Sequence, residues 1–477
     1  MENKQHIDMV ARTFEISKVA EMTGHTAQDI VESTSDDLTL LAGKAAGVCY
    51  MPDNYFEEGI QDEEKSMKRA LSTAARGHHS VFDHGTVNLV IKTNKMIAMI
   101  LNSLGCYTTS EKSARYTRME PETPLESKMY TKWQAKLQKA ILSIYPDMDD
   151  ELLSKRFCKK LGIEPSNAVI NGSISHIKDD EYMEEILSTL KKDVDLPSYK
   201  LAQENARYMI SVFTPTTMEY SISYRQACLI IDYFKKLEKN LVLATDTFSV
   251  KLLPYIEEFR ELLESIIGKQ QLHDTKNQYI RFLEAQHNAE VNLLGDKIKV
   301  TPFEDMSERE DTKQTVIGDS YTITYIGSLA MLAQAQRHRT LRYSMWLTEP
   351  GKDGFYIPEI VKKAGLEKDW IKDIQNVAYC IPQGTMVRIT EQGLFEDFAL
   401  KCKERMCGRA QLEIMRQTSK LVNLFYSNRD KLCYSNKMLL DELTDVKGKA
   451  CPRCMYRDYT CTDGCRWKAV DALTRLI

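Results

Sequence analysis

The sequence YTITYIGSLAMLAQAQRHRTLRY, residues 321–343, places a strand pattern directly before a helix pattern and a basic end. From Tyr321 to Ile326 the side chains alternate with the period of two that is typical of a strand. Residues 329–336 are apolar or small except for Gln334 and Gln336, which is consistent with a short helix, and Arg337-His338-Arg339 follow at once. This stretch therefore predicts a strand that leads into a short helix with a cationic end.

The same order of elements occurs earlier in the chain. Residues 86–92 alternate as a strand, with Val90 as an interruption, and residues 95–103 follow as a helix. A hydroxyl-rich loop, residues 108–116, comes next. Recurrence of one order of elements predicts an internal repeat.

The repeat predicts three segments along the chain. Residues 1–275 form the first copy together with a helical connector, residues 276–446 form the second copy, and residues 447–477 form a cysteine-rich tail. A chain of 477 residues is long enough for such a division.

Composition predicts a soluble cytoplasmic protein. Hydrophobic residues make up 43% and charged residues 28%, as in ordinary globular proteins. The net charge of -4 gives no general attraction to nucleic acid or to an anionic membrane, so we expect neither as a partner. The apolar stretch at residues 96–104 is too short to span a bilayer. Twelve cysteines in such a chain predict reduced thiols.

The basic end at residues 337–339 places two guanidinium groups and an imidazole where a phosphate or an electron-rich ring could bind. Taken alone, the triplet is more often a solvated helix end whose cations favour the helix dipole.

The loop residues Glu111, Ser113 and Arg115 alternate, so all three side chains share one direction if the segment is extended. An arginine and a hydroxyl can hold phosphate oxygens, while a carboxylate accepts from a sugar hydroxyl. This arrangement suits a nucleotide monophosphate. Taken alone, it is also compatible with a surface loop that carries an ordinary ion pair.

Together these segments resemble the flavin-dependent thymidylate synthase family, whose signature runs Arg-His-Arg, a short spacer, then Ser, Glu, Ser and Arg-Tyr. The first copy resembles it at residues 77–84 and 108–116 but has Ser103-Leu104-Gly105 where Arg-His-Arg belongs. The second copy keeps Gln334 and residues 337–339 but lacks the substrate loop. Each copy lacks what the other keeps.

The later part of the family pattern is divided in the same way. In the first copy Arg207 and Arg225 resemble the Ala-Arg and Asn-x-Arg positions, with Ser223 in place of the asparagine. In the second copy Ala378 replaces the first of these arginines, whereas Arg405 and residues 410–414 resemble the final helix motif. Phe234 stands in the first copy where a second Arg405 would be.

The resemblance implies an α+β fold in which each copy is a small antiparallel sheet packed with helices. The family is a homotetramer with sites assembled across subunits, so the tandem chain is expected to form a homodimer with composite sites. The implied ligands of the substrate dUMP are Gln334, Arg337, Glu111, Ser113, Arg115, Arg207 and Arg405. The implied ligands of FAD are His78, Ser80, Arg337, His338, Arg339, Glu111, Ser223 and Arg225.

The activity implied by the resemblance is reductive methylation of dUMP to dTMP. Methylenetetrahydrofolate would supply the carbon, reduced FAD the hydride, and NADPH would reduce the flavin again. Arg405 would be catalytic, because a guanidinium beside the pyrimidine stabilises negative charge as N3 deprotonates. Two alternatives stay open: a related flavoenzyme that modifies another pyrimidine nucleotide, and a flavin- or nucleotide-binding protein without turnover.

The tail adds a cysteine cluster that the family pattern does not contain. Cys451, Cys454, Cys461 and Cys465 follow the spacing Cys-x2-Cys-x6-Cys-x3-Cys. Four thiolates suffice for a closed structural zinc site, and an iron-sulfur cluster is the alternative.

Overall fold

A computed structural model describes the chain in separate ranges. They are residues 15–48, 61–113, 117–161, 181–267, 272, 298–302, 319–346, 354–432, 434–457, 459–461, 465–467, 469 and 471–477. The predicted substrate ligand Arg115 lies outside these ranges.

Mixed helix and strand confirm the α+β class. The described helices, in chain order, are α1 (Ile16–Thr23), α2 (Ala27–Val48), α3 (Glu63–Ala75), α4 (Lys95–Leu101), α5 (Pro124–Ile144), α6 (Asp150–Leu161), α7 (Glu181–Leu190), α8 (Pro197–Ala206), α9 (Tyr224–Val242), α10 (Thr247–Ile267), α11 (Leu329–Ala335), α12 (Glu359–Lys363), α13 (Glu367–Asn376), α14 (Phe395–Arg405), α15 (Leu412–Ser427), α16 (Tyr434–Glu442) and α17 (Asp471–Thr474). No helix in the described part of the chain combines the length and apolar character that crossing a bilayer requires.

The described strands form two small antiparallel sheets. They are β1 (Thr86–Asn94), β2 (Thr108–Glu111), β3 (Pro215–Ser223), β4 (Ile298–Pro302), β5 (Asp319–Ser328), β6 (Arg342–Trp346) and β7 (Met386–Leu394). One sheet has the order β1-β3-β2 and the other the order β4-β5-β7-β6. In the second sheet Tyr321 pairs with Gly393, and Tyr343 pairs with Glu391.

One succession of elements occurs twice along the chain. A strand leads into a seven-residue helix, a second strand follows, and a 3-10 turn precedes a third strand and its helix. The third strand lies between the other two in both sheets. The segments after the two 3-10 turns also pair with each other, because Ser211 bridges Pro382 and the Val212 amide donates to the Ile381 carbonyl at 2.9 Å.

Two compact units divide the chain, and each is made of separated stretches. The first contains residues 1–91, 104–110 and 218–286. The second contains residues 92–103, 111–217 and 287–477. The second unit therefore holds parts of both predicted copies, whereas the linear boundaries at 275 and 446 stay a prediction.

The core of the second unit is built around two tryptophans. Trp133 of α5 and Trp370 of α13 are fully buried, and their rings meet edge to face at 4.7 Å between centroids. Each indole N–H is satisfied, since Trp133 donates to Asp373 at 2.8 Å and Trp370 to the Tyr356 carbonyl at 2.9 Å. Helix α5 begins with a capping box between Thr123 and Glu126. These contacts hold α5 and α13 together.

Candidate active site

Helix α11 carries the basic end that the sequence singles out. Its N-cap is Ser328, whose hydroxyl accepts from the Met331 amide at 3.0 Å, and it ends at Ala335, one residue before the predicted end at residue 336. Arg337 and Arg339 lie exposed beyond the helix, while His338 between them is buried. Two guanidinium groups thus face solvent at a helix end.

Glu413 of α15 holds the start of that helix. Its carboxylate accepts from the Ser328 amide at 2.9 Å, from the Ser328 hydroxyl at 2.6 Å and from the Tyr208 hydroxyl at 2.8 Å. Burial raises the pKa of Glu413, and these hydrogen bonds oppose the rise. A buried carboxylate is tolerated here because all of these donors converge on it.

Arg207 belongs to the same hydrogen-bond network as Glu413 and Tyr208. The guanidinium donates to the side-chain oxygen of Gln411, whose amide nitrogen donates to Tyr208. Arg207 is 6% exposed, so its charge is held in place rather than solvated. Tyr208 and Glu413 therefore link Arg207, a predicted phosphate ligand, to the helix that precedes Arg337.

The substrate loop approaches the same helix end. The Arg337 guanidinium donates to the backbone oxygen of Glu111 at 3.4 Å. Glu111 ends strand β2, and Ser113 lies half-buried two residues later. The structure thus brings Arg337 of the second predicted copy to the loop of the first.

Arg405 is the last residue of α14 and is 9% exposed. Its guanidinium donates to the backbone oxygen of Gln334 at 3.3 Å and lies 3.5 Å from the carboxylate of Glu404. The buried side-chain oxygen of Gln334 has no hydrogen-bond partner within the described ranges. A donor on a bound ligand would satisfy it.

His338 is buried beside cations. Burial, together with the nearby charges of Arg405 and Lys401, lowers its pKa to about 2. Its Nε2 has no hydrogen-bond partner among the described residues and lies 3.7 Å from Glu404. His338 is therefore a neutral imidazole at physiological pH.

We expect His338 to make stability fall at acid pH. The unfolded chain binds a proton at this imidazole below about pH 6.5, whereas the folded protein does not until about pH 2. The contribution of His338 to the free energy of unfolding is therefore lost as pH falls below about 6.5. In urea unfolding between pH 7 and 5, His338→Asn should show a flatter decline, by at most about 1.4 kcal/mol per pH unit. Identical slopes for the two proteins would contradict the assignment.

A second group of predicted ligands lies in the first unit. Ser223 caps α9 and donates to Asp83 at 2.7 Å, and Arg225 donates to the other oxygen of Asp83 at 2.8 Å. Asp83 ends the 3-10 turn His79–Asp83, on which Ser80 is exposed, and His78 is exposed directly before it. Asp83 thereby brings Ser223 and Arg225 to one end of that turn.

One comparison with known proteins found a family for part of the chain. A model of the family described as thymidylate synthase complementing protein, the flavin-dependent thymidylate synthase family, matches residues 29–236. The match supports a function related to thymidylate synthesis and covers the first predicted copy. No curated protein matches the chain.

Two positions show what replaces a missing family residue. Ser103 occupies the place of the first arginine in Arg-His-Arg, and its hydroxyl accepts from the Gln336 side chain at 2.7 Å. Phe234 lies as far from the start of α9 as Arg405 does from the start of α14, and it packs in the core against Phe259 at 5.2 Å. Both side chains, which the resemblance predicts to replace family ligands, therefore make contacts within the protein.

The four tail cysteines stay a predicted metal site. All four lie among the described residues, and within those residues no three Cys, His, Asp or Glu side chains are grouped to hold a metal ion. Cys465 donates to the Trp467 carbonyl at 3.0 Å, and Cys454 accepts from the Ala469 amide at 3.2 Å. Burial raises the pKa of Cys451 to about 11.

Lys95 also contacts the substrate loop, although the sequence patterns did not single it out. Its side chain donates to the carboxylate of Glu111 and to the backbone oxygen of Lys112, the latter at 3.2 Å. A lysine at the first position of a helix is usually solvated, so no sequence signal marked it as buried.

Proposed function

We propose that the chain is a flavin-dependent thymidylate synthase whose substrate site combines residues of both predicted copies. The hydrogen bond from Arg337 to the Glu111 backbone carries this proposal, because it joins the helix end of one copy to the loop of the other. The twofold recurrence of the strand and helix order supports the underlying duplication. Both residues lie in the second unit.

The second unit offers a suitable set of groups for an anionic nucleotide. Arg207 and Arg337 supply guanidinium donors that can hold phosphate oxygens. Ser113 supplies a hydroxyl, and the unpartnered side-chain oxygen of Gln334 accepts from a sugar hydroxyl or a ring N–H. The chemistry of this set favours a pyrimidine nucleotide monophosphate such as dUMP.

The flavin ligands proposed from the family fit the chain. The exposed guanidiniums of Arg337 and Arg339 can bind the FAD diphosphate, and the orphaned Nε2 of buried His338 can accept a hydrogen bond. The family resemblance also implies Ser223 and Arg225 as FAD ligands, and within the first unit both are held by Asp83. Bound FAD supplies the hydride that completes the methyl group, and NADPH replaces that hydride.

Arg405 is the residue that we assign to catalysis. Methylation would form a bond from C5 of the pyrimidine to the methylene carbon of methylenetetrahydrofolate, and C5 would lose its proton. The bonds from that carbon to the folate nitrogens would break, the nitrogens would take up protons, and the transferred carbon would receive a hydride. The products are dTMP and tetrahydrofolate. A buried guanidinium next to the ring stabilises negative charge on it and so increases the nucleophilicity of C5.

The decisive assay is thymidylate formation by the purified, FAD-loaded protein with dUMP, methylenetetrahydrofolate and NADPH at low oxygen. We expect dTMP together with tritium release from dUMP labelled at C5. Flavin oxidation by dUMP and folate without dTMP would favour another pyrimidine or one-carbon product. A protein that binds FAD and dUMP but releases no tritium would favour a binding protein.

Arg337→Ala should weaken FAD binding by about tenfold or more, since it removes a charge-assisted contact to phosphate. Titration of apoprotein with FAD, followed by flavin fluorescence, measures this directly. Lys363→Ala removes an exposed cation of α12 in the same unit and should leave FAD affinity unchanged. Normal FAD affinity in Arg337→Ala would count against the combined site.

The proposal also includes the assembly state. Because the family is a homotetramer, two tandem chains would present the same number of folds, and we expect a homodimer. Light scattering of the purified protein tests this expectation, and a stable monomer with full activity would contradict it.

A further inference from the structure

Lys95 is a buried cation in the second unit for which the proposed reaction has no assigned use. It begins α4 and is 5% exposed, although lysine is almost never this buried unless it is paired. Its backbone amide donates to the Thr214 carbonyl at 3.0 Å. Both its main chain and its side chain are therefore fixed.

The side chain of Lys95 holds the start of the substrate loop. It donates to Oε1 of Glu111 and to the backbone oxygen of Lys112, so it contacts two consecutive loop residues. Thr216 donates to the same Oε1 at 3.2 Å, and the Lys112 amide donates to the Thr217 carbonyl at 2.9 Å. No hydrogen bond from a described residue reaches Oε2 of Glu111, so that oxygen stays available to a ligand.

Two arginines lie close enough to Lys95 to act on it electrostatically. Burial lowers the pKa of Lys95, Glu111 raises it again, and the charges of Arg337 and Arg207 lower it. The buried pair therefore lies beside the two arginines that we propose as phosphate ligands.

A purely structural role explains this pair poorly. Removing two buried charges from water costs several kcal/mol for each ion, and well-packed apolar residues of similar size are often as stable or more stable. The family pattern places a ligand at Glu111, two residues before Ser113. Orientation of Glu111 for substrate binding would therefore explain why this buried pair is present.

We propose that Lys95 is a positioning residue that orients Glu111 and thereby sets the affinity of the site for a pyrimidine nucleotide monophosphate. The inference rests on the proposed function, because Glu111 is a substrate ligand only in that reading. Lys95 acts through Glu111 and does not contact the nucleotide.

Calorimetric binding of dUMP to the FAD-loaded 477-residue chain tests this role without turnover. Lys95→Met and Glu111→Gln should each weaken binding by about tenfold or more, the size expected for loss of a charge-assisted hydrogen bond. The double variant should bind no more weakly than Glu111→Gln alone, because Lys95 has no other route to the ligand. Lys95→Arg should keep most of the wild-type affinity for dUMP. Lys92→Met, at an exposed position of β1, is the matched control.

Several outcomes would overturn the role of Lys95. Wild-type affinity for dUMP in Lys95→Met would show that Lys95 does not have this role. Additive losses of affinity in the double variant would mean that Lys95 acts independently of Glu111. If Lys95→Met does not fold, Thr216→Val removes the other donor to Oε1 and should weaken binding by about threefold or more. Unchanged affinity in that variant would equally reject the role. A wild-type protein that binds no dUMP would instead reject the proposed function.

Discussion

Arg405→Ala is expected to abolish thymidylate formation while the protein keeps its flavin. Arg405 is nine-tenths buried at the end of α14, where its charge would interact strongly with the pyrimidine ring in the proposed complex. Removing one preorganised donor to a developing negative charge typically lowers kcat by about 10²- to 10³-fold. We therefore expect a loss of at least that size in tritium release, with the yellow flavin absorbance retained.

A control and a second readout make this expectation specific. Lys403→Ala removes an exposed cation of the same helix and should leave turnover near that of the wild type. Because Arg405 helps to lower the pKa of His338, Arg405→Ala should also raise that pKa, as measured by imidazole NMR. Full activity in Arg405→Ala would remove the catalytic assignment, whatever the NMR result.

Lys401→Met should cause the largest loss of stability. Lys401 and Glu391 form an ion pair at 2.6 Å that is essentially inaccessible to solvent. The Tyr321 and Tyr325 hydroxyls each donate to Glu391 at 2.7 Å. Removing the lysine leaves a buried carboxylate without its counter-charge, which costs about 3–5 kcal/mol in the free energy of unfolding.

Urea unfolding of matched variants measures that cost. Adding Glu391→Gln to Lys401→Met should recover much of the loss, since a neutral amide oxygen still accepts from both tyrosines. Lys68→Met, in an exposed pair with Glu64, should change the free energy of unfolding little. A loss in Lys401→Met as small as in Lys68→Met would show that the carboxylate finds another partner.

Local patterns predicted elements of the fold well. The strand expected at residues 321–326 is confirmed within Asp319–Ser328, and the helix expected at residues 329–336 is observed at Leu329–Ala335. In the first copy the helix expected at residues 95–103 ends at Leu101. Side-chain periodicity determines such elements because it reports which face of one element is buried.

Contacts between distant parts of the chain could not be predicted in this way. The cysteine spacing predicts a metal site, and the structure shows that Cys465 and Cys454 each contact a different stretch of backbone. The compact units cut across the linear copies, since residues 111–217 lie in one unit with residues 287–477. Both outcomes depend on which distant segments pack together, and no local pattern encodes that choice.

The sequence by itself determined the resemblance of residues 29–236 to one family and the placing of Arg337 directly after a helix, because motif spacing and helix patterns are properties of consecutive residues. Only the tertiary structure decided that Lys95 pairs with Glu111 and that Glu413 supports Ser328. Burial makes these polar contacts necessary, since an unpaired charge or donor loses its water without compensation. Burial arises when remote segments pack, so these partners are set by the folded chain.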